Sequence, residues 1–192
     1  MDLPGTESPA GDPAVFELTG RLAADLAALL ATVAGLSQAQ ADWRPAEGRW
    51  SVGEILHHLC LSNSYFAAST GALIERGERE ALLAGPTSRR VWPRLRLVAD
   101  ATASGPVAHP SAATPTHGLP LADLVAEVGE WHAAVAALLP RIVPLDLAAL
   151  RAPHPLGFEL NLFQWFDMMG AHERRHLLQI HAIRDAGGFP AE

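Results

Sequence analysis

Apolar positions recur with a period near 3.6 along four stretches of this chain, the signature of amphipathic helices. The first begins at Pro13, a residue suited to the opening position of a helix. It carries Phe16, Leu22, Leu26, Leu29, Leu30 and Val33 and reaches Gly35, a natural C-cap. The second opens with Ser51-Val-Gly-Glu54, which has the form of a capping box. Val52, Ile55, Leu56, Leu59 and Phe66 lie on one face of it, and it should run to about Gly77. The third spans Leu121 to Pro140, with Leu124, Val128, Trp131, Val135 and Leu138 as its stripe. Asn161 caps the fourth, from Leu162 to about Ala186, ended by Gly187 and Gly188. Between them lie a turn region at 37–50, a Pro-, Ser-, Thr- and Gly-rich crossover at 84–119, and a Pro-rich connection at 140–160. The crossover holds a brief alternation, Val91 to Val98, that fits an extended piece. Four long helices, one long crossover and no sustained strand pattern predict an all-α four-helix bundle over residues 13–186. A flexible tail at 1–12 precedes it and a short tail at 187–192 follows. No internal repeat is visible.

Composition narrows the function classes. With 49% hydrophobic residues, a chain of 192 residues can build one ordinary core. The net charge of -7 disfavours a nucleic-acid partner, which normally requires a basic surface. Arg89, Arg90, Arg94 and Arg96 cluster inside the crossover, where they form either a solvated basic loop or a receptor for carboxylates. Cys60 is the single cysteine, so no internal disulfide can form and a reducing, cytoplasmic setting is expected. The N-terminal segment lacks the basic and apolar regions of a secretory signal. No apolar run reaches the roughly 18 residues of a membrane span, because Asp25 interrupts the best one, Leu22 to Leu36.

Candidate chemistry lies in the nine histidines. His109, His117 and His154 sit in Pro-rich segments and read as solvated; His132 and His181 fall off the apolar stripes of their helices. His172 and His176 are four apart on the last helix and therefore stack on one face. His176 lies within the stripe of Leu162, Phe166, Met169 and Ile180, with His172 at its flank. That spacing suits two imidazoles on one metal ion, and equally two core histidines hydrogen-bonded to other side chains. On the second helix His58 lies ~100° from the centre of the apolar face and His57 ~155°. His58 is therefore the one able to turn inward as a third ligand. Cys60, ~200° from His58, points away and reads as a small buried residue. Three neutral imidazoles with open positions make a catalytic rather than a closed structural site.

His172-Glu-Arg-Arg-His176 also matches the zinc-protease string H-E-x-x-H. Only about 16 residues follow it, too few for the downstream ligand and cleft of such an enzyme. Glu173 still falls on the inward side. It is the candidate catalytic carboxylate, placed to hold an imidazole or a water; the alternative is an ion pair with Arg174, Arg175 or another arginine.

Two segments carry a family resemblance: Arg49-Trp-Ser-Val-Gly-Glu-Ile-Leu-His-His-Leu59, and His154-Pro-Leu-Gly-Phe158 with Leu162 to Ile180. Together they resemble the DinB-like superfamily, including its metal-dependent hydrolases and its thiol-dependent transferases. The resemblance implies an up-down-down-up bundle, often homodimeric, with one divalent ion, zinc or nickel among others, on three histidines. The histidine that precedes Leu in the family pattern corresponds to His58, as on the wheel, and the other two correspond to His172 and His176. It further implies an enzyme acting on a small electrophilic substrate, either as an S-transferase using bacillithiol, mycothiol or glutathione, or as a hydrolase. A metal that deprotonates a thiol serves the first, and one that activates water serves the second. The alternative is a non-catalytic metal- or ligand-binding module of the stress response. Trp50, Tyr65 and Trp165 either line the pocket or pack the core.

Overall fold

The computed structural model describes residues 13–85, 113–155 and 157–191. Four long helices dominate: α1 (Pro13–Val33), α3 (Val52–Arg79), α4 (Leu121–Ile142) and α5 (Leu162–Arg184). A short α2 (Gln38–Asp42) and a two-stranded hairpin, β1 (Arg151–Pro153) with β2 (Glu159–Asn161), lie between them. The expected tail at 1–12 and most of the crossover, including the Val91–Val98 alternation, fall outside the described residues.

The helix starts follow from local chemistry. Ser51 accepts the Glu54 amide, and the Glu54 carboxylate accepts the Ser51 amide at 2.9 Å. Asn161 and Gln164 form the same reciprocal box at the start of α5. A third box, Ser37 with Gln40, opens α2 inside the stretch expected to be a turn. At five residues, α2 is too short to display a helical period. The hairpin was equally hidden, since three-residue strands carry no readable alternation. Pro140 does not end α4, which continues to Ile142.

α1 and α3 each pack against both α4 and α5. Side-chain contacts set the directions. Arg21 meets Asp167 and Asp25 meets Arg174, so α1 and α5 run parallel. His58 meets His172 while Phe66 meets Trp165, so α3 and α5 are antiparallel. Cys60 lies by Leu124, and Leu73 and Ile74 share a cluster with Leu139 and Ile142, so α3 and α4 are parallel. The order is up-down-down-up, with the long crossover joining the parallel pair. Gly170 permits the close approach of α1 and α5: a Cβ there would stand 2.8 Å from the Asp25 carboxylate.

The interior is apolar at both ends and polar in the middle. One cluster gathers Leu18, Leu22, Phe66, Ile74, Ile142, Leu162 and Trp165. The other gathers Leu29, Val33, Val52, Ile55, Leu59, Val128 and Ile180. Between them every long helix contributes polar side chains: Asp25, His58 and Asn63, His132, and His172 to His176.

Glu54 has a further partner in Arg44, whose guanidinium grips it through two bonds of 2.8 and 2.5 Å. Ser51→Ala should destabilise the fold by about 1–2 kcal/mol, because it orphans the Glu54 amide in a buried cap. Urea unfolding followed by circular dichroism checks this, and an unchanged midpoint would remove the cap from the account.

Candidate metal centre

Three imidazoles converge in the polar layer. His58 Nε2 lies 3.2 Å from His172 Nε2, and His176 Nε2 lies 3.1 Å from the same atom. Ligand atoms of all three fall within 4.8 Å of one another. A tetrahedral zinc with bonds of 2.0–2.1 Å separates its imidazole nitrogens by about 3.3 Å, so the set has the dimensions of a first-row metal site. His58 and His176 are buried, and His172 keeps a partly exposed edge.

The hydrogen bonds on the far sides of the rings fix the tautomers. His58 Nδ1 stands 2.7 Å from the carbonyl of Ala113, which can only accept. His58 therefore donates from Nδ1, and its Nε2 is left with a lone pair. His176 Nδ1 likewise donates to Gln179 Oε1 at 2.8 Å. Two lone pairs thus face His172 Nε2, which can supply one proton between them, while His172 Nδ1 is buried without a partner. Both α5 imidazoles are held neutral. Burial first, then the neighbouring imidazoles, depress His172 well below the ordinary histidine value. Burial, with His58 and Arg175 adding to it, brings His176 to about 3. Inward-facing nitrogens with the opposite N–H engaged are what a metal requires of histidine, and His58 and His176 meet this, while His172 offers its Nε2 beside them. The residues present fit a divalent cation.

Deeper in the layer, Glu173 bridges α3 and α4. Its Oε1 accepts from Asn63 Nδ2 at 2.9 Å and from His132 Nε2 at 2.6 Å. Glu173 Oε2 is buried without a hydrogen-bond partner. Glu173 therefore pairs with neither Arg174, which bonds Asp25, nor Arg175. Aromatic rings border the histidines. Trp50 packs at 4.9 Å from His58 and 6.4 Å from His176. Phe66 sits 6.0 Å from His172. Trp165 is fully buried and touches Tyr65, Phe66 and His154.

Comparison with known proteins agrees with this architecture. The model of the DinB superfamily matches residues 21–180. The chain belongs to the DinB superfamily. It is 24% identical over 152 residues to the uncharacterized protein YuaE of Bacillus subtilis (strain 168), covering 79% of this chain and 87% of YuaE. It also shares its fold with YfiT from Bacillus subtilis, described as a probable metal-dependent hydrolase with an unusual four-helix bundle topology. The TM-score is 0.60 at 17% identity, over 98% of this chain and 95% of YfiT.

Within this DinB bundle the structure brings together His58, His172 and His176, and it revises other expectations. His132 is on the buried face of α4, which runs through Leu124, Val128, Val135 and Leu139. The expected stripe through Trp131 and Leu138 was rotated too far, since both are only partly buried. His154 is half-buried, stacked on Phe158 at 4.6 Å, and burial lowers its pKa. His57 is half-buried and accepts the Thr116 amide at 2.7 Å. His117 approaches Glu54 at 3.5 Å. The arginines of the crossover and His109 lie outside the described residues. No described helix is long and apolar enough to cross a membrane.

Cys60 is fully buried, near the Leu124 carbonyl at 3.7 Å, and burial raises its thiol to about 12. Iodoacetamide at pH 8 should modify it on the order of 100-fold more slowly in the native protein than in urea, because both access and thiolate are missing. Equal rates by mass spectrometry would show that α3 and α4 open readily beside the site.

Proposed function

We propose that this protein is a divalent-metal-dependent enzyme acting on a small electrophilic substrate, as a hydrolase or as an S-transferase using a low-molecular-weight thiol. The observation that carries this reading is the convergence of three imidazoles, two of which, His58 and His176, turn their Nε2 atoms on the Nε2 of the third, His172. Hydrogen-bonded core histidines would pair donors with acceptors, and here His58 and His176 have already committed their only N–H groups elsewhere. His58, His172 and His176 would hold the ion, with zinc or nickel suited to an imidazole set.

When bound, such an ion supplies a Lewis-acid position at which a water or a thiol loses its proton near neutral pH. The chain's own residues do the rest. Ala113 and Gln179 hold the two imidazoles in the required tautomer. Trp50 and Phe66 give the site apolar walls that exclude bulk water and accept the body of a substrate. Glu173 is the candidate proton acceptor through Oε2 alone, since Oε1 is committed to Asn63 and His132. The hydrolase arm draws support from the description of YfiT; the thiol arm rests on the same metal position accepting sulfur.

Elemental analysis of untagged protein should find about one zinc or nickel per chain. The metal should be lost in His58→Ala, His172→Ala and His176→Ala. Removing it with a chelator should lower the melting temperature, as expected for a ligand bound only by the folded state. Wild type that stays metal-free after reconstitution would end the proposal. With metal in place, a screen of electrophiles with and without thiol separates the two arms. Tight metal binding without turnover in either arm would instead support a binding module. Glu173→Gln should keep the metal and lose turnover; retained turnover would leave Glu173 a positioning residue.

A further inference from the structure

Arg175 stands out among the arginines. Every other partly buried arginine among the described residues has an acidic or carbonyl partner: Arg21 with Asp167, Arg76 with the Arg151 carbonyl, Arg141 with Glu78, and Arg174 with Asp25. Arg175 has neither an ion pair nor a hydrogen bond among them, and its Nε is buried without a partner. Burial alone shifts its pKa, downward, which is the mark of a guanidinium with no compensating charge. An uncompensated, partly desolvated cation is unfavourable, and chains normally relieve it with a carboxylate.

Its location says what would relieve it. Arg175 follows His172 by three positions and precedes His176, and its charge is felt by both imidazoles. On the helical wheel it lies ~60° from His172, on the side away from Glu173. His172 itself is only partly buried. Aromatic rings border the histidines: Trp50 beside His58 and His176, and Phe66 beside His172, with the half-exposed Tyr65 packed on Trp165 next to Phe66. An unpaired forked cation beside histidines that aromatic rings border matches one ligand chemistry: an organic carboxylate with an apolar body.

We infer that Arg175 is the receptor for a substrate carboxylate, so that the substrates of this site are small carboxylic acids with an apolar or aromatic body. The inference rests on the proposed function for what happens at the histidines, but not for the binding itself, which needs only the guanidinium and the aromatic rings beside the histidines. Arg175 is then a binding residue that sets specificity, and neutral analogues of the substrate are discriminated against.

The test uses 3-phenylpropanoate and its neutral amide as probes, with calorimetry on wild type, Arg175→Gln and Arg175→Lys, each metal-free and zinc-loaded. Wild type should bind the acid about tenfold or more tightly than the amide, as a charge-assisted pair requires. Arg175→Gln should abolish that preference while remaining folded, melting no lower than wild type, and binding zinc at least as well, and Arg175→Lys should restore part of it. An equal preference in Arg175→Gln, no preference in wild type, or no binding of the acid at millimolar concentration would overturn the inference. Failure of the metal reading looks different: wild type would not bind zinc, yet the metal-free protein would still prefer the acid through Arg175.

Discussion

A neutral imidazole has one donor and one acceptor, and it can direct only one of them inward. His58 and His176 spend their donors outward, on the Ala113 carbonyl and on Gln179, and direct acceptors at His172. Acceptors gathered in a buried space repel one another unless a proton or a cation lies between them, and His172 can bring a single proton to two neighbours. The arrangement of the bundle follows from holding this set. Because α3 and α5 run antiparallel, His58 comes level with the pair on α5. The end of the crossover must return to place Ala113 against His58 before α4 can begin.

The same layer explains why the four helices keep one register. Each contributes a polar group at one height, and each group finds its partner on another helix: Asp25 with Arg174, Asn63 and His132 with Glu173, His58 with His172. A slip of one turn along any helix would bury these groups against the apolar clusters above and below, leaving several donors and acceptors unpaired at about 1–3 kcal/mol each. Apolar packing alone tolerates such slips far better, since one leucine face resembles the next. The polar layer thus selects the alignment, and the two apolar clusters supply most of the favourable burial.

What could be read from the chain depended on whether a signal was local. The capping boxes at Ser51 and Asn161 are written within four residues, so helix starts were legible to the residue. His58 could be chosen over His57 because it lies ~100° from the centre of the apolar face, at its flank, while His57 at ~155° lies nearly opposite. His132 was lost for the opposite reason. Tryptophan and leucine at 131 and 138 weigh heavily as apolar residues, and including them turns the apparent face of α4 by about 35° away from His132. Its burial is decided by Glu173, a residue on another helix. His154 was misread as solvated because the hairpin that carries it under Phe66 and Trp165 is built from strands of three residues. The partner of Glu173 could not be found in the sequence either, since both arginines beside it offered a nearer charge.

His172-Glu-Arg-Arg-His176 shows how little a short string determines by itself. Helical spacing fixes only that the two histidines share a face, with Glu173 on one flank and Arg175 on the other. In a metalloprotease the glutamate works on a metal-bound water. Here one of its oxygens is already held by Asn63 and His132, on the inner side of the bundle. The opposite flank of the helix carries the uncompensated Arg175 instead. The carboxylate of the motif is therefore buried and engaged, while the unpaired charge beside the histidines is positive. Neutral imidazoles cancel none of the charge of a cation they hold, so a loaded site would add to the field of Arg175 rather than oppose it. A peptide cleft needs no such field. A site that must draw in and orient a small anion does, and that difference comes from what α3 and α4 present to α5, not from the five residues of the motif.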